Sequence, residues 1–235
     1  MKKLIYALLA VSILLALLIA GCKKTTTCSS IDDPATRDDC YFDKATGAVS
    51  LDTCNKIGSE TVKNSCIAEI GIKKGDIEIC NSISGNSKDY CIAKLAIENK
   101  NFTLCNGINK AYWSDICNKD IAIASNNIAS CAKVTNIFEK DLCYTTIATS
   151  NLNAGSCFYI YNDTTHDKCI TKIAVETSNE NLCEETKNVV PGDICLQKIA
   201  KAKKNESICS RISYWEIKEA CKAMVKSILN ETIKE

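Results

Sequence analysis

From residue 28 onward the apolar positions fall into a repeating frame. Six cysteines (Cys66, Cys91, Cys117, Cys143, Cys169 and Cys195) are followed four and five residues later by a large apolar residue and then a small one. The pairs are Ile70-Gly71, Leu95-Ala96, Ile121-Ala122, Ile147-Ala148, Ile173-Ala174 and Ile199-Ala200. That spacing predicts one stripe of an α-helix, with a small residue where a neighbour can approach closely. Between these stretches stands another cysteine, followed three residues later by Ile31, Ile57, Ile83, Ile108, Val134, Ile160 or Ile212, with Thr186 as the exception. Residues three apart share a helix face, so this segment is predicted as a second, shorter helix.

Polar positions keep the same frame. Ser50, Asp76, Asn101, Asn127, Asn153, Asn179 and Asn205 lie four residues before the first cysteine of a unit. All are good N-caps, whose side-chain oxygen accepts from a first-turn amide. Two residues before the second cysteine stand Asp38, Asn64, Asp89, Asp115, Asp141, Asp167, Asp193 and Glu219. The acids among them read as first-turn residues favouring the positive end of their own helix dipole. Each unit is thus predicted to be an αα-hairpin.

The frame is set by sixteen cysteines: Cys28, Cys40, Cys54, Cys66, Cys80, Cys91, Cys105, Cys117, Cys131, Cys143, Cys157, Cys169, Cys183, Cys195, Cys209 and Cys221. Their steps alternate 12 and 14, with a single 11 between Cys80 and Cys91, giving a period of 26 residues. A period of that length marks stacked repeats, and the prediction is an all-α solenoid of about eight helical hairpins over residues 28–235. The first unit lacks the apolar stripe and the last continues as Ala223, Met224, Val225, Ile228 and Leu229, as end-capping repeats would.

Two regular disulfide schemes fit this spacing. Closing each 12-step joins the helices of one hairpin, whereas closing each 14-step joins neighbours and strands Cys28 and Cys221. Extending the short helix about one turn past its cysteine, and starting the long helix about one turn before its own, places the first scheme's sulfurs at similar depth. The second scheme then carries an axial mismatch of about 4 Å at ~1.5 Å rise per residue. The first scheme is therefore expected, although spacing alone does not prove connectivity. Each closed loop contributes nominally ~3 kcal/mol in the chain-entropy description.

The first residues differ in kind. Lys2 and Lys3 precede an unbroken small and apolar run over residues 4–20, the form of a secretory signal. The run ends in Ile19-Ala20-Gly21-Cys22, which resembles the lipobox of prokaryotic lipoprotein precursors. That resemblance covers residues 1–22 only. It implies a signal peptide over 1–21, lipid on the Cys22 sulfur, a lipidated tether over 22–27, and a membrane-held chain facing outside the cytoplasm, at the cell surface or in the periplasm. Seventeen residues are at the short limit for an uncleaved span. Export also explains the cysteine content, since disulfides persist in oxidising compartments.

Charge narrows the function. The chain has 29 basic and 28 acidic side chains, and loss of Lys2 and Lys3 leaves 27 against 28. Without a basic excess, a nucleic-acid partner is not expected. His166 is the single histidine and reads as a solvated tip residue; no nucleophile motif accompanies it, so no catalytic residue is assigned and the chain is not expected to be an enzyme. No two of the sixteen cysteines are closer than 11 residues, unlike zinc or iron–sulfur sites, so no metal or cofactor is assigned. The function expected is a non-enzymatic scaffold, spacer or binding module for protein or glycan. The alternative is a thiol-rich metal (copper-type) or redox buffer, in which facing thiolates hold soft ions.

The most variable stretches are the hairpin tips. Several carry aromatics, and Tyr112, Trp113, Phe138, Tyr159, Tyr161, Tyr214 and Trp215 (with Phe158 beside them) are the candidate binding residues, because Trp and Tyr anchor interfaces. Local packing of each ring is the competing role. Asn101, Asn162, Asn205 and Asn230 begin glycosylation sequons; Asn101 and Asn205 already have a capping role in the frame, and Asn162, in a tip, is the attractive acceptor.

Overall fold

The computed structural model describes residues 27–232. The signal segment 1–21, Cys22 and the tether as far as residue 26 lie outside the described residues. The chain divides into two compact units, up to Ile70 and from Gly71 onward. The first unit contributes two hairpins and the second six. Among the described residues there is helix and no strand, and no helix is long and apolar enough to cross a membrane.

The chain is an all-α solenoid of eight disulfide-linked hairpins. Their long helices are α1 (Pro34–Ala48), α2 (Glu60–Lys74), α3 (Gly85–Glu98), α4 (Ala111–Ala124), α5 (Ile137–Ser150), α6 (Asp163–Glu176), α7 (Val189–Lys203) and α8 (Trp215–Thr232). Each begins six residues before its cysteine, earlier than the one turn expected from sequence.

The partner segment of each hairpin is shorter than expected. It is a single α-turn at Leu51–Cys54, Ile77–Asn81, Phe102–Cys105 and Glu206–Cys209, and a 3₁₀ turn at Cys28–Ser30, Ile128–Lys133, Ala154–Tyr159 and Glu180–Glu185. The β-branched residue three past the cysteine ends it. At Ile31, Ile57, Ile108, Val134, Ile160 and Ile212 its N–H donates to the cysteine carbonyl, as from Ile57 to Cys54 and from Ile160 to Cys157, both at 3.0 Å. The backbone at Ile31, Val134 and Ile160 is then extended, the region such side chains favour. Ile57, Ile83, Val134, Ile160 and Ile212 are buried nonetheless. The cysteine–isoleucine pair thus marks the end of a turn, not the face of a helix.

Six of the seven polar caps expected four residues before a cysteine accept a first-turn amide: Ser50, Asp76, Asn101, Asn153, Asn179 and Asn205. Asn127 makes no such bond. Each cap also closes the preceding long helix. Its N–H returns to the carbonyl of the small residue in the apolar stripe, from Asn153 to Ala148 at 2.9 Å and from Asp76 to Gly71 at 3.0 Å. This is the 6→1 bond of a Schellman turn, which needs a left-handed residue before the cap. That residue is Val49, Gly75, Lys100, Asn126, Leu152, Ser178 or Lys204, with φ between 51° and 66°.

All eight disulfides follow the 12-step scheme: Cys28–Cys40, Cys54–Cys66, Cys80–Cys91 (11 residues), Cys105–Cys117, Cys131–Cys143, Cys157–Cys169, Cys183–Cys195 and Cys209–Cys221. Cα–Cα distances run from 5.5 to 5.8 Å, within the range a disulfide requires. The pairing expected is therefore present, although the short segment does not reach a full turn beyond its cysteine.

The cystines are the centre of the core. Ala122 packs with Cys131 and Cys143, and Ala148 with Cys157 and Cys169, in one continuous cluster. Ala174, Cys183, Cys195, Ala200, Cys209, Cys221 and Val225 form the next, so α8 covers the last cystine as expected. In the first unit Ala45, Cys54, Ile57, Cys66 and Ile70 do the same. At Gly71 the approach is closer still: a Cβ there would stand 3.0 Å from Cys91 Sγ.

Candidate binding edge at the hairpin tips

The tips are held by a bond that the dipole argument placed on the wrong helix. The aspartate two residues before the second cysteine is buried in the second turn of its long helix. Its carboxylate reaches forward to the next hairpin and receives two successive backbone amides just before that hairpin's long helix. Asp38 accepts from Gly58 and Ser59, both at 2.8 Å. Asp89 holds Asn109 and Lys110. Asp115 holds Thr135 and Asn136, and Asp141 holds Tyr161 and Asn162, both at 2.9 Å. Asp167 holds Lys187 and Asn188, and Asp193 holds Ser213 and Tyr214.

The carboxylate thus sits at the positive end of the following helix and satisfies donors that have no intrahelical partner. Bonds from the Gly58 and Ser59 amides hold the Asp38 carboxyl below its ordinary range. Burial pushes Asp167 up, but bonds from the Asn188 side chain, His166 and the Lys187 and Asn188 amides outweigh it and bring it below its ordinary range. The position is occupied by Asn64 in α2 and by Glu219 in α8, where Glu219 is exposed and paired with Lys222 at 2.7 Å.

The same geometry presents the first turn of each long helix at a tip. In the unit from residue 71 onward, Phe138 and Tyr161 are each 74% exposed and Trp215 69%. Tyr112, Phe158, Tyr159 and Tyr214 are exposed too. Trp113 is not part of this surface. It is half-buried between Tyr90 and Tyr112, with ring centroids 5.2 and 5.0 Å away, and its role is packing. Tyr159 is partly committed, stacked at 5.3 Å on buried Tyr144. Exposed Ile137, Val189 and Val190 join the edge. They escaped the sequence reading because only aromatics were sought there, yet all three stand at the first two positions of a long helix.

Grooves lie between successive tips. One, of about 420 Å³, has Tyr112 on one side and Asn136 and Glu139 on the other. Another, of about 650 Å³, runs from Phe158, Tyr159 and Tyr161 past Asn162 and Asp163 to Lys187. Each sets ring faces beside amide, carboxylate or ammonium groups, a mixture suited to partners with both apolar and hydrogen-bonding surface.

His166 departs from expectation. It lies within α6, is 1% exposed, and places Nδ1 3.1 Å from Asp167 Oδ1, with the Phe158 ring 5.6 Å away. It is an interior residue supporting the Asp167 clamp, not a solvated loop residue. Asn162 also has a capping role, accepting from the Thr165 amide at 3.0 Å. All sixteen cysteines among the described residues are paired in disulfides. Comparison with protein-family models, curated proteins and solved structures gives no match to this chain.

Proposed function

We propose that this protein is an exported, lipid-anchored and non-enzymatic scaffold whose hairpin tips bind a protein or glycan partner outside the cytoplasm. The observation carrying the binding role is the run of exposed apolar side chains at the first turns of α4, α5, α7 and α8, joined by Tyr161 in the loop before α6. Single exposed apolar residues are ordinary on a protein surface, but a recurring set at one structural position marks an interaction site. Export and anchoring rest on the charged and apolar leader with its Cys22 lipobox and on eight disulfides that need an oxidising compartment.

Photo-crosslinking residues placed at Phe138, Tyr161 and Trp215 in the native cell test the binding role. They are expected to give discrete adducts that the same residue at Lys73 does not. Equal labelling from all four positions, or none, overturns it. Loss of metabolic fatty-acid labelling in Cys22→Ser is the expected result for the anchor, and retained labelling overturns that part.

A further inference from the structure

A second recognition feature lies between α6 and α7, running from their first turns onto their outward faces. There the two helices leave a groove of about 750 Å³, within the range of small-molecule sites. Val175, Pro191 and Ile194 give it an apolar lining. Lys168, Lys172 and Lys198 stand along it, exposed and without an ion pair among the described residues. Glu176 is the one lining carboxylate free of other bonds, because Asp167 is turned to the Lys187 and Asn188 amides. Thr171 lies half-buried in the lining, with its Oγ1 shielded from solvent.

The equivalent surface between α4 and α5 is filled differently. There Lys119 is bonded to Glu139 at 2.7 Å and lies 3.6 Å from Asp120, so its charge is spent within the protein. At α6 and α7 three ammonium groups face one free carboxylate beside an apolar surface. We infer that this groove binds a free single-chain carboxylate amphiphile of the fatty-acid class. Its chain lies on Val175, Pro191 and Ile194, and its head group is held by the lysines. The site includes none of the exposed tip aromatics and does not rest on the proposed scaffold role.

The test titrates the oxidised full chain with octanoate, octan-1-ol and octyltrimethylammonium, following the methyl resonances of Val175 and Ile194 by NMR. Octanoate is expected to shift both methyls saturably and to bind at least tenfold more tightly than the cationic amphiphile. The combined Lys168→Gln, Lys172→Gln, Lys198→Gln variant, altered only at exposed positions, is expected to weaken octanoate at least tenfold and leave octan-1-ol unchanged. Unshifted methyls, equal binding of anion and cation by the unmodified protein, or unchanged affinity in the lysine variant would each overturn the inference.

Discussion

The Asp167 carboxylate receives two hydrogen bonds from Asn188, one from its backbone N–H at 3.1 Å and one from its side-chain amide at 2.8 Å. Asn188 belongs to the next hairpin, so this contact sets the register between two repeats, as the other five forward-reaching aspartates do for theirs. Apolar packing around the cystines gives adhesion without direction, whereas two amides on one carboxylate fix an angle and a height.

Removing one such carboxylate should loosen a single junction. In Asp141→Ala the Tyr161 and Asn162 amides lose a charged acceptor, at about 1.5–3 kcal/mol each. Hydrogen exchange at those two amides is expected to accelerate at least tenfold, with amides of the first two hairpins unchanged. Unaltered protection at Tyr161 would show that the bond does not hold the junction.

Acid should act on the same bonds. The folded carboxyls of Asp38 and Asp167 lie below their ordinary values, so their contribution is complete above the unfolded value of about 4 and is lost as pH falls through the folded values beneath it. The melting temperature of the oxidised protein is expected to hold from neutrality to about pH 5 and to fall below about pH 4. Asp38→Asn should start lower and lose less over that interval. A steeper acid loss in Asp38→Asn than in the parent would contradict this.

Some junctions carry backbone strain that can be relieved. Leu152 is an exposed residue at φ 52°, a conformation costing a side-chain-bearing residue about 1–2 kcal/mol. Leu152→Gly is expected to raise the urea midpoint, corresponding to about 1 kcal/mol after the added flexibility of the unfolded chain is discounted. A lowered midpoint would mean that the leucine side chain contributes more than the strain removes.

Reduction should be ordered and then catastrophic. Cys40 is only half-buried, whereas the cysteines of the other seven disulfides are buried. Stepwise treatment with a phosphine, followed by peptide mapping, is expected to open Cys28–Cys40 first. Complete reduction should abolish the cooperative melt, because each closed loop constrains the unfolded chain by nominally ~3 kcal/mol. Persistence of a sharp melt in the fully reduced chain would show that packing alone suffices.

The fold was readable because sulfur spacing and polar caps are local signals. The 12-step between Cys131 and Cys143 and the cap at Asn153 each lie within one hairpin. What escaped depends on the neighbour. Asp141 looks like an ordinary first-turn acid until residues twenty positions on are brought beside it. His166 looks like a loop residue until α6 is seen to begin at Asp163. Trp113 and Phe138 occupy similar positions in sequence, yet only Trp113 meets aromatic neighbours in Tyr90 and Tyr112. The groove between α6 and α7 gave no signal, since lysines at this spacing on an outward helix face look the same with or without a cavity beneath them.

The forward reach of the aspartates has a consequence for how such a chain can change in length. Every junction that carries the motif joins an acceptor to two donor amides 20 and 21 residues further on, so an in-frame copy of one hairpin brings with it both halves of the seam it creates. Whole modules can then be gained or dropped by unequal exchange without a compensating substitution, and a growing array adds one tip at each step.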